Sequence, residues 1–164
     1  MMRYASIRQM DISNGENIGV ALFVQGCHFH CLNCFNPQTW DFDGGKVWTP
    51  EIENQFIQLA QPSYIKRISF LGGEPLCPEN RDTITRISKR LRNIYPTKTQ
   101  WLYTGYKFEE VKNLEIMKYL DVVIDGEYID SQRDITLAWR GSKNQRVIDV
   151  QKSLVENCVK LYCD

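Results

Sequence analysis

The sequence lacks several features that would place it in a membrane, on a nucleic acid or in a multidomain assembly. It has no apolar run near the roughly 18 residues that a transmembrane helix needs. Its 20 basic and 20 acidic residues balance, and the zero net charge argues against nucleic acid or an anionic membrane as a partner. No internal repeat or low-complexity linker divides the chain, which predicts a single domain over residues 1–164.

The common catalytic and nucleotide-binding patterns are also missing. The two histidines, His28 and His30, belong to no grouping of serine, histidine and carboxylate residues that would indicate acid–base or nucleophilic catalysis by side chains. Neither a G-x-G-x-x-G sequence nor a P-loop is present, which argues against the usual dinucleotide and nucleoside-triphosphate loops. The first residues contain no apolar signal core, so we expect a cytoplasmic protein with reduced cysteines.

What the sequence does contain is three cysteines within eight residues, Cys27, Cys31 and Cys34, spaced C-x3-C-x2-C. Four thiolates saturate a [4Fe-4S] cluster in an electron carrier, so three on one loop leave one iron open to a ligand that is not protein. An open position of this kind is typical of a centre that performs chemistry. No role is assigned to the remaining, scattered cysteines, which are Cys77, Cys158 and Cys163.

Two other interpretations of the cysteine loop stay open. A structural zinc site of the Cys3His type would use His28 or His30 as its fourth ligand, although zinc ligands usually come as two short pairs far apart in the sequence. A closed cluster with Cys77 as its fourth ligand would make the protein a simple electron carrier. Metal analysis separates these interpretations.

Strands alternate with amphipathic helices along most of the chain. Apolar runs predict strands at 19–24, 65–71, 99–104, 122–124 and 146–150. Helices are predicted from Thr49 to before Pro62, across the apolar positions 84–94, and over 108–119. This alternation predicts an α/β fold with a mainly parallel sheet of five to six strands. Since so few strands cannot close a barrel, we expect a partial, open (β/α) barrel.

A second motif, Gly72-Gly73-Glu74-Pro75, follows the strand predicted next after the one that delivers the cysteine loop. Sheets of this type bind ligands at the carboxyl ends of their strands, so the two motifs should lie together. The two glycines allow a backbone to approach a ligand closely, and Glu74 is suited to receive an ammonium group. Taken alone, the motif is equally a tight turn with a solvated glutamate.

Together these motifs resemble the radical S-adenosylmethionine enzymes, in which the open cluster iron chelates the amino and carboxylate groups of that cofactor. Further segments are similar to the activating proteins of the anaerobic (class III) ribonucleoside-triphosphate reductases, over roughly residues 12–150. The segments are C-F-N-P-Q-T-W from Cys34, L-G-G-E-P-L, W-L-Y-T-G-Y, D-V-V-I-D-G and W-R-G-S-K-N-Q-R-V-I-D.

The resemblance implies a [4Fe-4S] cluster on Cys27, Cys31 and Cys34, with S-adenosyl-L-methionine bound beside it. Gly72, Gly73 and Glu74 would meet the amino group of the cofactor, and Asn33, Cys34 and Phe35 its adenine. One electron passed to the sulfonium would break the C5'–S bond, and the 5'-deoxyadenosyl radical would remove a hydrogen from a glycine of the reductase. No side chain is needed as a catalytic acid or base.

The implied partners are the anaerobic ribonucleoside-triphosphate reductase and a one-electron donor, for which flavodoxin is a candidate. The alternatives are activation of another glycyl-radical enzyme, such as pyruvate formate-lyase, a small radical enzyme acting on a nucleoside-like molecule, and a non-catalytic zinc-binding module. Positive charge is concentrated in segment 139–146. The resemblance predicts that this segment contacts the cofactor or the glycine loop of the partner, chiefly through Arg140.

Overall fold

The computed structural model describes residues 1–163 and is built around one mixed sheet. Its strands are β1 (Arg3–Asp11), β2 (Gly19–Val24), β3 (Lys46–Val47), β4 (Arg67–Gly72), β5 (Thr99–Tyr103), β6 (Val122–Asp125), β7 (Arg146–Asp149) and β8 (Leu161–Cys163). Its α-helices are α1 (Pro50–Leu59), α2 (Pro78–Ile94), α3 (Phe108–Val111) and α4 (Val150–Glu156). None of the helices in the described part combines the length and apolar character needed to cross a bilayer.

The prediction of a partial, open (β/α) barrel with a mainly parallel sheet of five to six strands is wrong. The described residues form an open mixed sheet of eight strands in the order β3-β1-β2-β4-β5-β6-β7-β8. The pairs β2–β4, β4–β5 and β5–β6 are parallel, and the four other pairs are antiparallel. Strands β1, β3 and β8 were not predicted, because β3 and β8 are very short and β1 exposes polar side chains.

Strand β7 is antiparallel to β6 because no helix carries the chain back between them. A parallel neighbour needs a crossover, usually an α-helix, whereas residues 126–145 form a long loop with one short 3-10 turn at Asp130–Gln132. This loop, which we call the covering loop, lies over the face of the sheet opposite the helices. It supplies much of the site described below.

Most of the central elements were predicted correctly. Strand β2 matches its prediction and all its residues are buried. Helix α1 starts where expected, with Pro50 at its first position and the Thr49 side chain accepting a hydrogen bond from the Ile52 amide. The helix predicted over 108–119 is interrupted, because α3 ends at Val111 and only a 3-10 turn follows at Glu115–Lys118. Both Ile116 and Met117 are buried. If α3 continued as a regular helix from Val111, these two neighbouring side chains would not both lie on the buried face that includes Val111.

The two faces of the sheet differ in what covers them. Alternate residues of the central strands, such as Leu22, Phe70 and Leu102, pack with the helices in the main core. The opposite face carries larger and more polar side chains, including Tyr103 and Trp101. Loops rather than helices cover that face, which leaves space for a cavity.

A buried ion pair fixes the loop after β1 beneath that face. Arg67 Nη1 lies 2.9 Å from Asp11 Oδ2, and neither side chain is exposed. The same guanidinium donates hydrogen bonds to the carbonyl oxygens of Asp11, Asn14, Glu16 and Asn17, so the loop is wrapped around it. Burial raises the pKa of Asp11, but hydrogen bonds from Asn14 and the charge of Arg67 outweigh it and hold that pKa below its usual value.

Candidate functional site

The cysteine loop leaves the carboxyl end of β2 and is closed at its base by backbone hydrogen bonds. The amide of Gly26 donates to the carbonyl of Thr39 at 2.7 Å, and that of Cys27 to the carbonyl of Trp40 at 3.1 Å. Gly26 has a φ of 101°, and a Cβ there would lie 2.2 Å from the Phe42 ring, so this position requires glycine. The closed loop therefore carries all three clustered cysteines on one anchored segment.

Cys27, Cys31 and Cys34 are half-buried thiols outside any disulfide. The backbone turns sharply between them, because His30 and Asn33 both adopt positive φ. Burial is the main cause that raises the pKa of Cys27 and of Cys31, and the nearby Cys34 raises both further. Burial and mutual repulsion thus disfavour three thiolates on this loop, and a shared cationic centre would offset that cost.

The donor set fits a cluster with three protein ligands better than a single zinc ion. Within residues 1–163, no three histidine, cysteine, aspartate or glutamate side chains converge closely enough to hold one metal ion. His28 Nε2 lies 2.6 Å from Glu79 Oε2, and the His30 ring stacks on Trp40 with centroids 4.6 Å apart. A Cys3His zinc site would require one of these rings to leave its contacts.

The Gly72-Gly73-Glu74 motif braces the cysteine loop from the neighbouring strand. The amide of Gly73 donates to Val24, and that of Glu74 to Gly26 at 2.8 Å. A Cβ on Gly73 would lie 2.3 Å from the carbonyl oxygen of Gly26. Gly72 has a φ of 105°, and a Cβ there would lie 2.7 Å from the Val24 nitrogen. The two glycines thus allow the backbone of the cysteine loop itself to approach closely.

Glu74 joins this motif to the loop that follows β5. Its side chain is buried, and Oε1 accepts a hydrogen bond from the Gly105 amide at 2.7 Å. Oε2 accepts from the Thr104 hydroxyl at 2.8 Å and from the Leu76 amide at 2.9 Å. Burial raises the pKa of Glu74 from 4.5 to about 7, against these hydrogen bonds, which lower it. In the sequence, Thr104 and Gly105 marked only the end of a strand, so this link was not predicted.

We expect the raised pKa of Glu74 to make stability fall as the pH rises from about 4.5 to about 7. The folded state binds this proton more tightly than the unfolded state, so the contribution is complete below pH 4.5 and is lost as the pH passes through 7. A shift of this size corresponds to roughly 3 kcal/mol. Glu74→Gln cannot titrate and should lack this fall. Urea unfolding of both cluster-free proteins at pH 5 and pH 8 tests it, and equal pH dependence would contradict it.

Asn33 and Phe35 lie between the cysteine loop and the covering loop. Asn33 Nδ2 donates to Asp130 Oδ2 at 2.9 Å, and the Phe35 ring packs against Tyr128 with centroids 4.8 Å apart. A Cβ on Gly141 would lie 2.5 Å from Phe35 Cε2, so the covering loop also touches this ring. More than half of Phe35 nevertheless remains exposed beside the cysteines.

Phe29 is a site residue that the sequence did not reveal. Its ring meets Tyr106 edge to face at 5.0 Å, and a Cβ on Gly105 would lie 2.7 Å from it. The cysteine loop therefore contacts the loops after β4 and β5 as well as the covering loop. The one available signal was an aromatic residue between two ligand-type cysteines.

Three cavities adjoin the cysteine loop, and the smallest, of about 430 Å³, is lined by Cys31 and Leu32. The two others are larger. One of about 450 Å³, which we call the sheet cavity, has Phe23, Leu71 and Tyr103 in its wall, together with Asn36 and Arg140. The other, of about 830 Å³, opens beside Phe29 at the ends of β5 and β6. Both volumes lie in the usual range of small-molecule sites. Three thiols, a buried carboxylate and three cavities thus lie near one edge of the sheet.

Comparison with known proteins agrees with the chemistry of this loop. Residues 13–148 match the family model of the 4Fe-4S single cluster domain. The chain is 40% identical over 146 residues to the anaerobic ribonucleoside-triphosphate reductase-activating protein of Enterobacteria phage T4, a match that covers 89% of this chain and 93% of the phage protein. Proteins of the same name from Haemophilus influenzae and Escherichia coli are each 37% identical, over 88% and 89% of this chain and over 96% and 97% of their own lengths.

Proposed function

The chain belongs to the family of anaerobic ribonucleoside-triphosphate reductase-activating proteins, and from this membership we propose that it activates such a reductase by generating a glycyl radical on it. The observation that carries the proposal is the closed loop with Cys27, Cys31 and Cys34 at an edge of the sheet, beside three cavities, one of which Cys31 lines. The protein would thus be an oxidoreductase of the radical S-adenosylmethionine type.

The three thiolates would hold a [4Fe-4S] cluster and leave one iron free for S-adenosyl-L-methionine. When bound, the two groups supply the one-electron cleavage of the sulfonium and the removal of a hydrogen atom from a glycine. Gly72 and Gly73 fix the cysteine loop against β4, which holds the ligand set in place. Glu74 places a carboxylate for the amino group of the cofactor, while Asn33, Cys34 and Phe35 offer a surface for its adenine.

The chain must also shield the bound groups from water and admit the glycine segment of the reductase. The covering loop lies over the sheet face and contacts Phe35 through Tyr128 and Gly141, and this packing would limit the access of water to one side of the bound groups. No acid or base is assigned, since hydrogen abstraction by a radical needs none. We also propose a cytoplasmic location, where thiols stay reduced, with a one-electron donor protein such as flavodoxin and neither nucleic acid nor membrane as a partner.

Anaerobic reconstitution tests this function. We expect about four irons per chain, with a visible absorption that changes when S-adenosylmethionine is added. With a reductant and the reductase, we expect a glycyl radical in the electron paramagnetic resonance spectrum. Zinc in place of iron would support the zinc-binding module, an unchanged spectrum the closed carrier, and a radical on pyruvate formate-lyase alone the other activase.

A further inference from the structure

Arg140 is a cationic group of the sheet cavity that makes no side-chain hydrogen bond within residues 1–163, although its charge helps to lower the pKa of Asp134 in the same lining. Its Nε atom is buried and lacks any hydrogen-bond acceptor, and its guanidinium forms no ion pair among residues 1–163. Other arginines are engaged, since Arg92 and Arg146 each donate to carboxylates. Leaving a buried donor unmet is costly, so an acceptor from outside the chain is the natural complement of Arg140.

The backbone on both sides of Arg140 is anchored. The Trp139 ring packs edge to face on the buried Trp101 with centroids 5.0 Å apart. On the other side, Gly141 lies against Phe35 and its amide donates to Gln145 Oε1 at 2.9 Å. The backbone that carries Arg140 is therefore anchored near the cysteine loop, and its side chain lines the sheet cavity, which suits a residue that orients a ligand.

A second unengaged group, the side-chain amide of Asn36, lies in the same cavity wall. It makes no hydrogen bond within residues 1–163, and it stands two residues after Cys34. An amide offers both donors and an acceptor, and so matches the N–H and C=O of a peptide unit. Arg140 offers donors only, which match carbonyl oxygens. Apolar side chains of the sheet, such as Phe23 and Leu71, lie in the wall with them.

These groups suit a polypeptide better than a nucleotide. The other arginine of the cavity, Arg8, already pairs with Asp11 at 3.0 Å. Asp134 adds a negative charge to the same lining. A polyphosphate would meet one available guanidinium and a nearby carboxylate, whereas an extended peptide would find donors, an acceptor and an apolar wall.

We propose that Arg140 is a positioning residue that donates a hydrogen bond to a main-chain carbonyl oxygen of the reductase segment carrying the target glycine. Asn36 holds a neighbouring peptide unit. The two contacts fix the glycine Cα–H relative to the cysteine loop, which is the orientation that a hydrogen transfer requires. This inference rests on the proposed function.

The test compares Arg140→Ala with Lys152→Ala, which removes the same charge from an exposed position on α4, outside the covering loop. The rate of glycyl-radical formation is measured against reductase concentration with the reconstituted protein. We expect Arg140→Ala to raise the KM for the reductase at least tenfold, with unchanged iron content and unchanged affinity for S-adenosylmethionine. Lys152→Ala should behave as the wild type. Arg140→Lys should give a KM between those of the wild type and Arg140→Ala, because it keeps the charge without the planar fork of donors.

Two results would overturn the inference. The first is an Arg140→Ala protein with wild-type KM for the reductase, and the second is one whose main defect is weaker binding of S-adenosylmethionine, which would make Arg140 a cofactor contact. If Arg140→Ala fails to fold, the KM of Arg140→Lys decides by the same criterion. If the wild-type protein yields no glycyl radical on the reductase, the proposed function itself is wrong. This wild-type control separates that outcome from a failure of the inference about Arg140.

Discussion

Replacing Cys27, Cys31 or Cys34 by serine should abolish the cluster and, with it, glycyl-radical formation on the reductase. A serine hydroxyl is not ionised at neutral pH, so each substitution removes one of three thiolate ligands and leaves two. All three cysteines lie on one closed loop, whereas Cys77 lies before the first turn of α2. We expect iron content after anaerobic reconstitution to fall at least tenfold in each variant, measured together with the visible absorption.

Cys77→Ser is the matched control for the three loop variants. Cys77 is buried before the first turn of α2, where its Sγ donates to the Glu74 carbonyl at 3.1 Å and burial raises its pKa to about 12. A serine hydroxyl can make the same hydrogen bond, so we expect normal iron content and normal radical yield. Loss of the cluster in Cys77→Ser to the same degree as in Cys31→Ser would favour a closed, four-thiolate carrier.

The location of the site was predictable although the fold class was not. The parallel strands β2, β4, β5 and β6 were all predicted, because strands buried on both faces appear as short apolar runs. Their carboxyl ends meet at one edge, which brings the loops that follow them together. The additional antiparallel strands extend the sheet at its two sides and leave that edge unchanged.

The missing strands have no comparable signal. Most residues of β1 are exposed or half-buried and polar, so its place beside β2 depends on backbone pairing rather than on an apolar pattern. Strand β3 has only two residues and owes its existence to its pairing with β1. Such strands form because a neighbouring strand is available for pairing. The residues of the strand itself do not indicate that neighbour.

Within the site, residue types were predictable and their partners were not. The spacing of the cysteines predicts a three-thiolate loop from local sequence alone, and the structure places all three on one closed segment. Glu74 was expected to face a ligand, but its carboxylate also binds the Gly105 amide and the Thr104 hydroxyl. Similarly, the engagement of His28 by Glu79 follows from the packing of α2 near the cysteine loop. Contacts of this kind depend on how distant segments meet in three dimensions.

Gly73→Ala should damage the site severely by a steric effect alone. Unlike Gly72, Gly73 does not have a positive φ, so the effect is steric. The added Cβ would stand 2.3 Å from the Gly26 carbonyl oxygen, which is backbone and cannot swing aside. The two loops must separate, and the hydrogen bond from Glu74 to Gly26 must lengthen. Overpacking of this kind costs about 1–3 kcal/mol. Because the displaced segment carries Cys27, iron loading and affinity for S-adenosylmethionine should both fall, by roughly tenfold.

Gly126→Ala separates this steric effect from backbone strain. Gly126 has a φ of 92°, yet a Cβ there would meet nothing closer than 3.5 Å. We expect it to lose about 1–2 kcal/mol of stability through conformational strain and to keep its cluster. Urea unfolding, iron analysis and a titration with S-adenosylmethionine on both variants give the comparison. The contradicting result is a Gly73→Ala protein that binds iron and cofactor as well as Gly126→Ala does. In that case, the close contact between the Gly-Gly-Glu motif and the cysteine loop does not hold the ligand set in place.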